Sequence, residues 1–310
     1  MAISRLSSDT DTFRLLPTTR LGHVHLTVAN LERQIAFYTQ VLGMQLHWHA
    51  GHEAALGTAA EVLLRLTEDP AARRPQRTAG MYHFALLYPS RKELARAIAR
   101  LFALRYPNSP TDHGVSKTTY LDDLEGNTIE LYVRSLDDAT MELVQGQIVV
   151  RHADGRISDG RAALDLEALF RELDDNARLD LPLPEGTRIG HMHLYASSLE
   201  SSLTFYASIL GFEAGLMHKG FRMGEVGLDK QQPHVIAFNT WKGEGIPPAP
   251  VNALGMRLFT IVLPTADELR RVVRHLQAQG VAVEHTPEGV VVCDPSSMTI
   301  MLTDHMLALP

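Results

Sequence analysis

The hexapeptide Leu21-Gly22-His23-Val24-His25-Leu26 recurs later in the chain as Ile189-Gly190-His191-Met192-His193-Leu194. The Phe-Tyr and Leu-Gly pairs that follow within residues 37–43 return within residues 205–211. A repeat of this size indicates two structurally equivalent halves.

The composition is that of a soluble globular protein, since 45% of the 310 residues are hydrophobic and 21% are charged. The net charge is -7 with no basic block, which argues against a nucleic-acid or anionic-membrane partner. Cys293 is the single cysteine, so no internal disulfide can form, and no run approaches the roughly 20 apolar residues of a membrane span. Without the apolar core of a signal peptide at its start, the chain is expected to be cytoplasmic.

The first module of the repeat has a βαβββ pattern. Residues 23–28 alternate and are rich in β-formers, which predicts a strand. Asn30 is a natural N-cap for the helix that follows, and Gly43 suits its C-terminal end. Three more strands are predicted, at residues 44–48, 54–56 and 62–67.

A second module follows the polar loop at residues 69–80. It has a predicted strand at residues 82–88, a helix after Pro89-Ser90-Arg91, and two strands joined by a turn at Gly126-Asn127. The C-terminal half repeats both modules from residue 188. The connector between the halves is too long for a bare loop, so we expect it to be packed.

The sequence therefore predicts an α+β protein of four βαβββ modules, paired into two curved-sheet domains. We expect an N-terminal tail at residues 1–19 and a metal-binding domain of modules 1 and 2 at residues 20–135. A packed connector at residues 136–187 then leads to a second domain of modules 3 and 4 at residues 188–310, whose metal site is degenerate.

Histidines and one carboxylate lie on strands of the first half. Side chains alternate across a strand, so His23 and His25 point to one face, and aligning the two modules places His83 at the position of His23. Glu130 lies in the middle of a strand that otherwise reads as buried, where a carboxylate is costly unless it is paired or bound to a cation. Two histidines and a carboxylate have the composition of a facial triad. The alternative is that each is an ordinary hydrogen-bonded or ion-paired residue.

Four segments of the chain resemble a known superfamily. They are Gly22-His23-Val24-His25-Leu26, residues 80–91, residues 112–132, and Phe238-Asn239-Thr240-Trp241 with its Gly- and Pro-rich tail. The chain resembles the vicinal-oxygen-chelate superfamily, and within it the catechol 2,3-dioxygenase-like type I extradiol dioxygenases. The resemblance covers nearly the whole chain from about residue 20. It implies the glyoxalase/extradiol dioxygenase fold.

The resemblance also implies roles for individual residues. The family's ligands, one His on the first strand of each of two modules and a Glu on the last strand, correspond to His23, His83 and Glu130. Tyr120 corresponds to the active-site tyrosine, and the alternative is an ordinary strand aromatic. His113, at the start of the same strand, is a candidate acid/base or substrate-orienting group, with capping of the loop as the alternative. His25 is expected to line the pocket rather than to bind the metal.

The C-terminal half departs from this pattern. Leu258 stands where the first half has His83, and Met301 stands where it has Glu130. His191 remains as a lone histidine, which cannot hold Fe(II) tightly. The sequence therefore predicts that this half is structural, or serves as a lid and oligomerisation surface.

The function implied by the resemblance is metal-dependent extradiol cleavage of a small catechol-type aromatic by O2. The expected metal is Fe(II), with Mn(II) as the alternative, and no organic cofactor is expected. One competing hypothesis is a glyoxalase-like metal-dependent lyase or isomerase. Another is a non-catalytic small-molecule binding protein of the resistance type. Symmetric self-association is expected, as for most soluble enzymes.

Overall fold

The protein is described here by a computed structural model that covers residues 13–308. Its first module follows the predicted βαβββ order. The elements are β1 (Arg20–Val28), α1 (Leu31–Gln40), β2 (Gln45–Ala50), β3 (Glu53–Gly57) and β4 (Val62–Glu68). Asn30 caps α1, because its side chain accepts a hydrogen bond from the backbone N–H of Arg33 at 2.9 Å.

The second module repeats this order. Its elements are β5 (Gly80–Leu87), α2 (Arg91–Ala103), β6 (Ser109–Asp112), β7 (Ser116–Asp122) and β8 (Thr128–Arg134). The connector is folded, as expected from its length. It forms β9 (Ala139–Val144), β10 (Gln147–His152), β11 (Ile157–Ser158), β12 (Ala162–Ala163) and the short helix α3 (Leu166–Phe170).

The second half contains the third and fourth modules. The third is formed by β13 (Arg188–Tyr195), α4 (Leu199–Leu203) with a π-helical continuation over Thr204–Ile209, β14 (Glu213–His218), β15 (Met223–Gly227) and β16 (Ile236–Asn239). The fourth is formed by β17 (Gly255–Val262), α5 (Ala266–Ala278), β18 (Glu284–Thr286), β19 (Gly289–Cys293) and β20 (Thr299–Thr303). No helix among residues 13–308 combines the length and the apolar character needed to cross a membrane.

Two large curved sheets result, which confirms the predicted α+β fold. One has nine strands in the order β12-β6-β7-β8-β5-β13-β16-β15-β14, and the other has eight in the order β18-β19-β20-β17-β1-β4-β3-β2. A separate three-stranded sheet, β11-β10-β9, belongs to the connector.

The pairing of the modules differs from the expected division at residues 20–135 and 188–310. Strand β5 of module 2 pairs with β13 of module 3, and β1 of module 1 pairs with β17 of module 4. Each sheet therefore contains one module from each half of the chain. The repeat predicts four similar modules, but similar edge strands do not determine which two modules meet.

The strands place their apolar side chains in one core and their polar side chains on the opposite face. In β5, Phe84 and Leu86 belong to the main core cluster, while Ala85 and Leu87 form a small separate cluster with Tyr132 of β8. This alternation gives the nine-stranded sheet an inner face that is free to hold polar groups.

Candidate metal centre

Three polar side chains converge on the inner face of the nine-stranded sheet. His83 Nε2 lies 3.1 Å from Glu130 Oε2, His191 Nε2 lies 2.9 Å from the same oxygen, and the two Nε2 atoms are 3.1 Å apart. All three side chains are at most 5% exposed. They form the one group of this kind that could hold a metal ion in the part of the chain that the structure describes.

The register of three neighbouring strands explains the cluster. Ala85 of β5 pairs with Glu130 on one side and with His191 on the other, so the three residues lie in one row across the sheet. Ala85 carries only a methyl group, which leaves space between its neighbours. His83 lies two residues before Ala85 on the same strand, so its side chain points to the same face.

The spacing of the three atoms fits a bound divalent ion. Ligand atoms about 2.1 Å from a metal and at right angles to one another are about 3 Å apart, which matches the separations in this cluster. The Nδ1 atoms of His83 and His191 are buried and have no hydrogen-bond partner among residues 13–308. The Nε2 atoms, in contrast, face each other and Glu130 Oε2, so one nitrogen of each ring is directed to the centre of the cluster.

The charge states of the cluster also suit a metal. Burial raises the pKa of Glu130, but His191 and His83 together outweigh burial and hold that pKa well below its usual range. Burial lowers the pKa of His191 to about 3, although Glu130 opposes this change. An ionised carboxylate beside a neutral imidazole is the form in which these groups bind metals.

The predicted ligand His23 does not belong to this cluster. It lies on β1 in the eight-stranded sheet, with its Nδ1 3.4 Å from Thr260 Oγ1, and burial followed by the charge of Arg65 lowers its pKa to about 4. His191, which the sequence prediction treated as a lone remnant, takes the expected place of His23. The physical reason is that module 2 pairs with module 3 rather than with module 1. Strand β13, and not β1, therefore lies beside β5.

His25 likewise lies outside the cluster, on β1. Its Nε2 is 2.7 Å from Thr67 Oγ1 of β4, and burial lowers its pKa to about 2. The position that corresponds to His25 in the nine-stranded sheet is His193, which pairs with His83.

The two predicted catalytic residues do lie beside the cluster. Tyr120 is directly opposite Glu130 in the β7–β8 ladder, and its ring centroid is 5.6 Å from that of His83. His113 Nε2 lies 3.0 Å from Tyr120 Oη, and His113 Nδ1 lies 2.6 Å from the carbonyl oxygen of Gly160. Burial and then the charge of Glu130 raise the pKa of the Tyr120 phenol, so it stays protonated.

An aromatic wall that the sequence analysis did not predict stands next to His83. Tyr82 has its ring 4.8 Å from His83, 4.9 Å from His193 and 5.3 Å from Trp241. Tyr195 continues the wall, 5.2 Å from Tyr82. Two sequence features could have predicted this wall: the repeated His-x-His pattern and the aromatic residues of β5 and β13. Neither is informative without knowing that β5 and β13 are neighbouring strands.

His193 has a defined partner within this wall. Asn239 of β16 donates a hydrogen bond from Nδ2 to His193 Nε2 at 2.9 Å. Burial holds the pKa of His193 well below its usual value, so the ring is neutral. Its ring centroid is 5.0 Å from that of His83, which places a second fixed imidazole next to the ligand set.

Paired βαβββ modules that hold a cluster of two histidines and one carboxylate define a class of metal-binding proteins. The chain belongs to the Glyoxalase/Bleomycin resistance protein/Dioxygenase superfamily, whose family model matches residues 20–131 and 188–292. It is 36% identical over 282 residues to a protein named Catechol-2,3-dioxygenase from Bacillus subtilis (strain 168), covering 90% of this chain and 95% of that protein.

Solved structures share the fold at low sequence identity. A candidate dioxygenase from Bacillus subtilis subsp. subtilis str. 168 is similar with a TM-score of 0.62 and 12% identity, over 94% of this chain and 86% of that one. Glyoxalase I from Zea mays is similar with a TM-score of 0.53 and 14% identity, over 92% of each chain.

Proposed function

We propose that this protein is a metal-dependent extradiol dioxygenase that cleaves the ring of a small catechol-type aromatic. The observation that carries the proposal is the His83–Glu130–His191 cluster with the Tyr120–His113 pair beside it. The similarity to the Bacillus subtilis Catechol-2,3-dioxygenase supports the same reaction.

The proposed metal is Fe(II), with Mn(II) as the alternative, held by His83, Glu130 and His191. Two imidazoles and one carboxylate form the ligand set of non-haem Fe(II) oxygenases and leave other positions open. When bound, the metal supplies a positive centre that favours ionised catechol oxygens and keeps catechol and dioxygen next to each other.

Tyr120 and His113 together accept the proton that catechol releases. Tyr120 Oη lies 3.0 Å from His113 Nε2, within hydrogen-bond distance, so a proton can pass between the two groups. As Tyr120 takes the proton of a catechol hydroxyl, it passes its own proton to His113. This arrangement is general base catalysis through one intermediate hydroxyl group.

The aromatic wall determines the shape of substrate that fits beside the ligands. The rings of Tyr82 and Trp241 are 5.3 Å apart and nearly perpendicular, at 78°, which leaves edges and faces for contact with a planar ring. Lys242 lies with its Nζ 4.0 Å above the Tyr195 ring, at the end of this wall. Packed aromatic surface of this kind excludes water from the reacting oxygens.

A glyoxalase-like lyase or isomerase is the second candidate function. The fold that this chain shares with glyoxalase I from Zea mays is compatible with it. Only the dioxygenase consumes O2, so oxygen uptake separates the two reactions. A purely binding protein has no use for a buried carboxylate beside two imidazoles, which makes the third hypothesis weaker.

The decisive experiment measures metal content and catechol-dependent oxygen uptake on one anaerobically purified sample. We expect about one iron or manganese ion per chain, because residues 13–308 contain one such cluster, together with oxygen uptake. Metal without oxygen uptake over a panel of catechols would favour the lyase or isomerase. Absence of metal after reconstitution with Fe(II) and Mn(II) would contradict both enzymatic proposals. Self-association remains a prediction, to be measured on the same sample by sedimentation.

A further inference from the structure

The connector between the two halves reaches the candidate site from both sides. The carbonyl oxygen of Gly160 lies 2.6 Å from His113 Nδ1, on the side of module 2. The guanidinium of the next residue, Arg161, lies 4.2 Å above the ring of Phe221, on the side of module 3. Phe221 in turn contacts Trp241 of the aromatic wall, with ring centroids 5.2 Å apart. Two consecutive residues of the connector therefore bridge opposite walls of the site.

The bridging segment is held firmly in place. Strand β12, which follows it directly, pairs with β6 through Ala162 with Asp112 and Ala163 with Thr111. Behind it, Val150 of β10 is fully buried. The segment lies outside residues 20–131 and 188–292, the parts of the chain that match the family model. Its contact with His113 is therefore a feature of this chain's connector rather than of the repeated modules.

From this contact we infer that the Gly160 carbonyl fixes the tautomer of His113 and so makes it the proton acceptor for Tyr120. A neutral imidazole has one N–H and one lone-pair nitrogen. A carbonyl oxygen can only accept, so the N–H must be on Nδ1. The lone pair is then on Nε2, and the Tyr120 hydroxyl must donate to it. The consequence for turnover rests on the proposed function, whereas the tautomer itself does not.

Glycine at position 160 permits this contact. Its φ is +74°, a conformation that side chains disfavour, and a Cβ there would lie 3.1 Å from Val150 Cγ2 and 3.4 Å from the carbonyl oxygen of His113. A larger residue would thus displace the carbonyl from Nδ1. Gly155 offers a matched control, because its φ of +88° is similar and nothing lies within 4 Å of its Cβ position. Gly160→Val and Gly155→Val therefore carry similar backbone strain, but only the first disturbs His113.

The direct test is ¹⁵N NMR of histidine-labelled protein, with Zn(II) added as a diamagnetic metal and with His113→Asn used to assign the His113 signals. We expect Nδ1 of His113 to carry the proton in the wild type and in Gly155→Val. Gly160→Val should show a mixture of tautomers. A wild-type ring protonated on Nε2, or a Gly160→Val spectrum identical to that of the control, would overturn the inference. Neither result depends on whether the protein consumes oxygen.

Steady-state kinetics, in which kcat and KM are measured separately, provide a second test. We expect Gly160→Val to lower kcat by about tenfold, a part of the 10²–10⁴-fold that acid–base groups contribute, with KM and metal content unchanged. Gly155→Val should match the wild type in kcat. Loss of metal from Gly160→Val in parallel with kcat would contradict a positioning role, since the segment contains no ligand.

Discussion

The nine-stranded and eight-stranded sheets are two versions of one architecture, and they differ most on their inner faces. The first carries the cluster of His83, Glu130 and His191. The equivalent positions in the second are occupied, in the same order, by Leu258, Met301 and His23. Tyr120, opposite Glu130, is likewise replaced by Val291, opposite Met301.

This difference shows that the fold does not require the proposed metal ligands. In the eight-stranded sheet, the inner face carries Leu258 and Met301 at two of these positions, and Arg65 beside them donates hydrogen bonds to Glu53 and Glu288 at 3.0 Å. Two of the three ligand positions are apolar, and the strands still pair in the same order. The buried Glu130 in the other sheet is therefore best explained by chemistry rather than by stability.

The largest effect is expected at the one proposed ligand position where both sheets have a histidine. His191→Ala removes a proposed ligand, so we expect metal content and oxygen uptake to fall by more than about 100-fold. That is the upper end for substitutions of residues that only hydrogen-bond to a ligand. His23→Ala, the same change in the other sheet, should keep both. Metal analysis and an oxygen electrode measure the effect. Equal loss of metal in both variants would show that the cluster is not the metal site.

A smaller loss is expected from Tyr120→Phe, which removes the hydroxyl group and leaves the ring. We expect kcat to fall by about 100-fold, the lower end of what acid–base groups contribute, with full metal content. Tyr132→Phe is the control, because Tyr132 lies on the other side of the cluster and its Oη has no hydrogen-bond partner among residues 13–308. Steady-state oxygen uptake decides the matter, and an active Tyr120→Phe would remove the hydroxyl from the mechanism.

A substitution that fills the space above Ala85 is expected to have a smaller effect on the metal site. Ala85→Val adds two methyl groups between Glu130 and His191, so we expect metal binding to weaken and stability to fall by about 1–3 kcal/mol, as in other overpacked sites. Thr260, opposite Met301, is the matching residue of the eight-stranded sheet, and Thr260→Val should leave metal affinity unchanged. Metal titration and urea unfolding give the two quantities. Unaltered affinity in Ala85→Val would mean that the row across β8, β5 and β13 does not shape the site.

The least effect on turnover is expected from His23→Gln, whose influence should be on acid stability. Burial lowers the pKa of His23 from 6.5 to about 4, so the unfolded chain binds more protons between these values. Stability is then lost as the pH falls from about 6.5 to 4, by an amount on the order of 3 kcal/mol. His23→Gln should flatten this part of the profile in urea unfolding at a series of pH values. An unchanged slope would show that His23 does not titrate on unfolding.

Much of this architecture could be predicted from the sequence, because it depends on local patterns. Asn30 and Gly43 set the ends of the first helix, and Glu130 in a buried strand indicated the site. Which histidine joins Glu130 could not be predicted. His23 and His191 lie in nearly identical motifs, and only the long-range pairing of β5 with β13 distinguishes them. The aromatic wall was missed for the same reason, since Tyr82 and Trp241 come from different halves.

The pairing of module 1 with module 4 also affects the order in which the protein folds during synthesis. The nine-stranded sheet is built from consecutive modules, and its last strand, β16, ends at Asn239, before β17 begins at Gly255. Arg20, at the start of β1, cannot pair with Val262 of β17 until that strand has been synthesised. Closing so long a loop is slow, and unpaired strands expose apolar surface in the meantime. On the ribosome, the sheet that carries the ligands can therefore assemble first and offer a folded surface to the first module while its partner strands are still being made.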